Sequence, residues 1–452
     1  MQKTALTKAV AIALATMGAG AAFAQSSVTV YGNLDVAVDS ATKGAGKITG
    51  TVWERNPTAK ANVAAESHIL RVAPSVSSSS ALGVKGTEDL GAGYKAGFVL
   101  EGQMGLDTGA QNGQDSRMWG RQAFVGLTTP MGEVRLGRQY APMFYSFAFS
   151  TVEALGGADL QAFGLVTNSL QIRQDNQISY WLKTGGLTAS IAYSPQAGVS
   201  KYVSSVRAPE TNGDSTGQIL GGASAGTEAA GTDKRGQSFG LFANYAVSDA
   251  FMVNAAYHMN HFGDAVAISY NKDASGSSLD PKVTPLFNLD KHSSYSIGAK
   301  YTVPEMGTQI SGIFHAGKYE MDAGSPVQNI KTNTFALGVK HPIGNFAVGA
   351  QYAVSKFTNF SEGKDTALML IGDYNFSKRT KLYARFGFAK DDAGKEANTG
   401  NSTLTNFGLG VNGGPLPALT GLGSQETPFF SGAGANVGNT TRMLAIGVRH
   451  QF

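Results

Sequence analysis

Residues 345–355 read NFAVGAQYAVS, with Phe346, Val348, Ala350, Tyr352 and Val354 on one parity and Asn345, Gly349, Gln351 and Ser355 on the other. Successive side chains of a strand point to opposite faces, so this segment is a strand with one apolar and one polar face. The same rhythm recurs in both directions along the chain. In 293–303, Ser293, Tyr295, Ile297, Ala299, Tyr301 and Val303 oppose Ser294, Ser296, Gly298 and Lys300. In 251–261, Phe251, Val253, Ala255 and Tyr257 oppose Met252, Asn254, Ala256 and His258. In 27–38, Val28, Val30, Leu34, Val36 and Val38 oppose Thr29, Tyr31, Asn33 and Asp35. About ten residues of such alternation is the length that crosses a bilayer as a tilted strand. The apolar faces carry aromatics near their ends, as lipid contact requires. The small polar faces suit water better than a packed core, and a soluble sandwich would carry more Lys and Glu there. The pattern predicts an all-β fold, a transmembrane antiparallel β-barrel.

Breaks in the alternation give the topology. Short breaks lie at 89–93, 130–132, 184–186, 248–250, 304–307, 341–344 and 377–380. Between them lie longer polar segments near 39–77, 106–117, 142–172, 196–235, 263–290, 319–331, 358–364 and 391–440. Seven turns and eight loops predict about 16 strands, with short periplasmic turns, long extracellular loops and both termini on the short-turn side.

The first 24 residues have a different character. Lys3 and Lys8 precede an alanine-rich apolar centre, and Ala22-Phe23-Ala24 offers small residues at positions minus three and minus one. That reads as a secretory signal peptide, residues 1–24, leaving one barrel domain over 25–452. Composition agrees with a barrel: 58 of 452 residues are glycine, well above the usual 7% or so, and apolar content is only 42%. No later run is apolar and uncharged for 18 residues, which excludes helical spans. There is no cysteine, so the exported chain depends on its backbone hydrogen bonds and not on disulfides.

Several function classes find no support. Without Lys3 and Lys8 the chain holds 34 basic and 32 acidic side chains, with no basic cluster of the kind nucleic acid requires. No nucleophile–base arrangement stands out, so no catalytic residues, enzyme activity or cofactor are expected. His258 and His261 are three apart on a strand, hence on opposite faces, and cannot share a metal.

Six segments carry a resemblance: SSVTVYGNLDVAV (26–38), GVKGTEDLGAGYKAGFVLEG (83–102), RQAFVGL (121–127), LGRQY (136–140), SKRTKLYA (377–384) and VRHQF (448–452). Together and in this order they resemble the Gram-negative general diffusion porins, in particular their β-proteobacterial branch. The resemblance implies an outer-membrane homotrimer whose third loop folds into the lumen of a water-filled channel for ions and small hydrophilic solutes. It also implies contact with outer-membrane lipid and lipopolysaccharide, and with the barrel-assembly machinery. A substrate-selective channel on the same barrel is the alternative, since the loops near 39–77, 196–235 and 391–440 are longer than the family usually shows.

In similar porins basic wall residues face acidic residues of the third loop across a constriction. By motif, the wall positions here are Arg121, Arg173 and Ala81, the last standing where the family usually has a third arginine. The third loop holds only two charges, Glu153 and Asp159, the candidate opposing carboxylates. Alternation puts Lys85, Lys95 and Arg385 in the lumen as a basic stripe, with Glu101 opposing it. Arg138 falls on the outward face, where a structural ion pair is expected. On the last strand, Leu444, Ile446, Val448, His450 and Phe452 share a face. In similar porins this terminal pattern is an assembly signal, here Phe452, His450, Val448 and Ile446.

Overall fold

A computed structural model describes residues 27–43, 66–111, 117–152, 171–197, 202–204, 236–269, 284–321, 329–358, 363–391 and 440–452. The predicted leader, most of the longest loops, and Glu153 and Asp159 lie outside the described residues. The chain forms β1 (Ser27–Lys43), β2 (Ser67–Pro74), β3 (Ala81–Gly91), β4 (Tyr94–Gln103), β5 (Gln122–Thr129) and β6 (Gly132–Tyr140). A helix, α1 (Pro142–Phe149), follows. Then come β7 (Arg173–Thr184), β8 (Leu187–Ser194), β9 (Tyr202–Ser204), β10 (Ser238–Ala246), β11 (Phe251–Ser269) and β12 (Thr284–Thr302). The chain ends with β13 (Gln309–Met321), β14 (Ile330–Ile343), β15 (Phe346–Thr358), β16 (Gly363–Asn375), β17 (Thr380–Asp391) and β18 (Thr440–Gln451).

These strands close into an antiparallel barrel of 16 wall strands. β2 and β3 pair with the two halves of β1, so together they make one wall strand, interrupted at 75–80. β9 adds only a short parallel bridge to β11. Closure runs through β1 and β18, from Lys43 opposite Thr441 to Asn33 opposite Gln451. Gly32 and Phe452 then exchange two backbone hydrogen bonds of 3.2 Å, so pairing extends to the last residue. A closed ladder leaves no unpaired edge in the hydrocarbon, the condition for crossing a bilayer with strands.

Each of the seven predicted breaks joins antiparallel neighbours. The predicted long loops are shorter in part. β11 and β12 continue through 263–269 and 284–290, because a register shift between His261 and Ala265 absorbs Gly263 and Asp264, which read as breakers. β1 likewise runs to Lys43 and β2 starts at Ser67, inside the predicted loop 39–77.

The two faces differ as the alternation demands. Val125, Ile297 and Leu444 on the outside are 62%, 60% and 51% exposed, whereas His258, Ser296 and Ala445 on the inside are buried. An apolar surface this continuous is far larger than a soluble monomer tolerates, and it fits only lipid or another barrel. Around the short-turn rim, Phe346, Tyr374 and Phe376 touch in sequence, with ring centroids 4.7 and 5.0 Å apart. Such an aromatic girdle sits at the membrane–water boundary.

Candidate pore constriction

The third loop begins with α1 inside the barrel. Pro142 opens the helix after an extended Ala141, where its fixed φ and missing N–H are harmless. An eight-residue helix has little stability of its own, so its position depends on the wall. Met143, Phe144 and Phe147 are buried, and α1 lies against β10, β11 and β12. Ser146 Oγ donates to Asn254 Oδ1 at 2.6 Å, and Asn254 Nδ2 donates to Ser150 Oγ at 2.9 Å. Ser296 Oγ bonds Ser146 at 2.7 Å, and Phe147 meets the His315 ring edge-on at 5.2 Å. Beyond α1 the backbone N–H of Val152 donates to Gln351 Oε1 at 3.2 Å. Where the loop returns, Gln171 Nε2 donates to Ser294 Oγ at 2.8 Å and Gln174 Nε2 to Ser238 Oγ at 2.6 Å.

Arg121 precedes the first regular residue of β5 and turns into the lumen. Its Nε donates to Glu101 Oε1 at 2.5 Å, and its Nη2 to the Tyr140 hydroxyl at 2.6 Å. Tyr31 Oη donates to the other Glu101 oxygen at 2.8 Å. Arg173 pairs across the sheet with Tyr140, donates to its hydroxyl at 3.4 Å, and lies 4.9 Å from its ring centroid. Tyr140 in turn stacks on Phe144 of α1 at 4.3 Å. One tyrosine therefore connects both arginines to the infolded helix. Among the described residues Glu101 is the one carboxylate in this group, and it is bonded to Arg121.

Ala81 faces inward at the start of β3, opposite Asn33 and Gln103, and is buried. Just before it, 75–80 forms a tucked segment of buried residues. Its Ser77 and Ser78 N–H groups donate to the Asp35 carboxylate at 3.2 and 2.9 Å, as does the Tyr383 hydroxyl at 2.6 Å. Ser75 there takes a left-handed φ of 61°. Arg385 is fully buried and donates to Ser77 Oγ at 3.3 Å. It pairs with Asp373 at 2.8 Å, which also takes Lys340 at 2.8 Å and Lys381 at 3.1 Å. Lys85 sits 5.2 Å from the Tyr31 ring centroid, and Lys95 lies 4.0 Å from Asp89 near the short turn. Lys85, Lys95 and Arg385 thus occupy two separate parts of the wall and not one stripe. Glu101 adjoins Arg121 and does not oppose the lysines.

Arg138 shares parity with the exposed Val134 and Leu136, on the outward face, yet it is buried. It donates to the Gly120 carbonyl at 2.7 Å and is ion-paired with Asp175, which Arg117 also holds at 2.7 Å. A bulge at Asp175–Asn176 brings that carboxylate to Arg138, Asn176 taking a φ of 52°. His258 points inward, and His261 lies 3.7 Å from Asp290, so the two histidines are not joined.

Sequence reasoning missed Tyr31 and Tyr140, the tucked serine segment and the Asp373 group. The register between strands makes these contacts, and only the parity of each residue was visible beforehand.

Comparison with known proteins adds the family. A profile for Gram-negative porins matches residues 9–394. The chain is 28% identical over 452 residues to outer membrane porin protein 32 of Delftia acidovorans, covering 98% of this chain and 99% of that one. Among solved structures, the anion-selective porin from Comamonas acidovorans is similar with a TM-score of 0.60 and 23% identity, over 95% of this chain and 100% of that chain. The trimer form of OmpT from Vibrio cholerae is similar with a TM-score of 0.55 and 14% identity, over 94% and 99% of the two chains. The profile spans most of the chain, and the barrel described above is the one such a profile requires. The chain belongs to the Gram-negative porin family, and its barrel is an outer-membrane channel for passive diffusion of ions and small hydrophilic solutes.

Proposed function

We propose that this channel favours anions, through a lumen wall in which cations outnumber the carboxylates paired with them. The observation that carries the reading is this imbalance. Among the described residues Glu101 serves Arg121 while Arg173 stands beside it, and Asp373 takes Lys340, Lys381 and Arg385 together. A net positive wall in a narrow aqueous lumen raises the local concentration of anions and lowers that of cations. Arg121, Arg173 and Ala81 form the wall side of the proposed constriction, with Glu153 and Asp159 as its loop side. The similar porin from Comamonas acidovorans is anion-selective, which supports the direction.

The test is the reversal potential of single channels in a salt gradient. Anion preference is expected; a potential of the opposite sign, or none, overturns the reading. We further propose a homotrimer, supported by the trimer form of the similar OmpT. Unheated gels of native membranes are expected to show an oligomer that boiling dissociates. The leader 1–24 is proposed to be removed, giving a mature chain that begins at Gln25, and N-terminal sequencing reads this directly. Phe452 and the apolar positions before it are proposed as the assembly signal. Deleting Phe452 is expected to lower folded protein in the outer membrane.

A further inference from the structure

Small polar groups suit a water-filled lumen, yet one stretch of this inner wall is aromatic. Beside α1, Trp181 of β7 meets Tyr145 edge-on at 4.7 Å, and Phe149 stacks on Phe242 of β10 at 5.8 Å. Tyr145 and Trp181 also reach Phe242, at 5.8 and 6.5 Å. Phe242 is buried, but Tyr145, Phe149 and Trp181 keep part of their surface open. Met143, Phe144 and Phe147 already seat the helix, so Tyr145 and Phe149 add apolar surface that water touches. Such surface in an aqueous path marks a place where something apolar lands.

Polar groups converge on the same patch. Register lines up Trp181, Ser190 and Phe242 across β7, β8 and β10. One inward position nearer the short turns it lines up Lys183, Thr188 and Asn244. Ser190 and Asn244 are only 6% and 7% exposed. Ser190 Oγ and Asn244 Oδ1 have no hydrogen-bond partner among the described residues. Buried polar atoms are almost always paired, so two orphans beside one aromatic patch point to a ligand that supplies the partner. Arg135 lies 5.1 Å from the Trp181 ring centroid, but Glu133 already holds it at 2.7 Å. Lys183 is exposed and has no ion-pair partner among the described residues, so it is the cation with charge to offer. Aromatic faces with a few convergent polar groups are what small-ligand sites are made of.

We propose that this patch binds small hydroxylated aromatic carboxylates on their way through the lumen. The ring lies against Trp181 and Tyr145, the carboxylate pairs with Lys183, and the hydroxyl donates to Asn244 Oδ1. An aliphatic anion would engage Lys183 and leave the rings bare, and a neutral sugar would leave Lys183 without its counter-charge. The proposal rests on the barrel being a channel and not on its ion preference.

The experiment records single channels of the full-length mature barrel while 4-hydroxybenzoate, benzoate or cyclohexanecarboxylate is added. Brief interruptions of the ion current measure occupancy of the site. Block is expected to be strongest with 4-hydroxybenzoate, weaker with benzoate and weakest with cyclohexanecarboxylate. Trp181→Leu is expected to weaken block by both aromatic acids roughly tenfold. Asn244→Leu is expected to make 4-hydroxybenzoate no better than benzoate. A control, Tyr352→Leu on the outward face of β15, is expected to leave block unchanged. No block, any other order of the three acids, undiminished block in Trp181→Leu or equal loss in the control overturns the proposal. If Trp181→Leu does not fold, the order of the three acids on wild type and the Asn244→Leu variant still decide it. The three acids carry the same charge, so the ion preference cannot imitate their order, and the reversal potential tests that preference separately.

Discussion

The inner wall is built in two chemistries. Where α1 lies on β10–β12 and meets His315 of β13, the groups that hold it are neutral: Asn254, Ser296, Phe242 and the His315 ring. Beside the helix, on β3–β7 and β14–β17, the wall carries Glu101, Arg121, Arg173, Lys340, Asp373, Lys381 and Arg385. The difference follows from hydration. A group covered by the helix loses its water, which a hydroxyl or amide tolerates once hydrogen-bonded but a lone charge does not. In the charged sector Glu101, Arg121, Arg173, Asp373 and Arg385 are buried too, and opposite charges and hydrogen bonds stand in for the lost water. Gly240 and Gly298 complete the neutral sector by leaving room: a Cβ on Gly240 would lie 2.9 Å from Pro142.

The strongest way to break this contrast is to place a charge beneath the helix. Ser296 is almost fully buried against Ser146 and Met143. Ser296→Lys should cost about 3–5 kcal/mol as an unpaired buried charge, more than an eight-residue helix can hold against. α1 is expected to lift, so single-channel conductance should change and become noisy, while the heat-shift of the barrel on gels stays the same. Quiet wild-type conductance in this variant would show that the neutral sector does not position the loop.

Removing packing instead of adding charge should act the same way more weakly. Phe147 is fully buried between the helix and the wall. Phe147→Ala should cost about 3 kcal/mol through the cavity it leaves. Faster protease cleavage within the third loop, at unchanged barrel stability, is the expected result. Cleavage at the wild-type rate would mean that the hydrogen bonds of Ser146 and Ser150 suffice alone.

How much of this contrast was legible beforehand differs between the sectors. Alternation alone assigned Asn254, Ser296, Lys85 and Glu101 to the inward face, since a period of two is a property of the chain itself. The seven turns were legible for the same reason. What alternation cannot give is the partner, because a cross-strand neighbour depends on register. Glu101 therefore read as facing a stripe of lysines, although it is bonded to Arg121 on the next strand. Nor could a run of serines reveal the break at 75–80, since a polar-only run carries no parity. The loop 263–290 looked longer than it is because a bulge hides Gly263 and Asp264 inside a strand.

In the charged sector the comparison is sharpened by taking charges away one at a time. Two unit charges 4 Å apart in water interact by about 1 kcal/mol, which bounds a single-residue effect on a permeability ratio at about fivefold. Arg173→Gln should reduce anion preference, and Glu101→Gln should increase it by releasing Arg121. The measurement is the reversal potential of each variant at 0.1 M salt, roughly where charges act over a Debye length of about 10 Å. Shifts of the same sign for both variants would contradict the view that Glu101 masks Arg121.

The smallest effect is expected where a charge is added to the charged sector. Ala81 is inward and stands one inward position from Gly83, which is paired with Glu101. Ala81→Arg puts a third cation within reach of that same carboxylate, so part of its charge is cancelled on arrival. The serines at 77–80 already fill the space behind it, so the new side chain must extend into the water path. Conductance should fall and anion preference rise modestly at 0.1 M salt. At 1 M the screening length is about 3 Å, so the selectivity shift should fade while the loss of conductance remains. A shift that survives 1 M salt would mean that the arginine acts by displacing the tucked serines and not by its charge. No shift at 0.1 M would mean that Glu101 takes the new cation entirely and leaves Arg121 free in its place, an exchange that adding Glu101→Gln to the variant would expose.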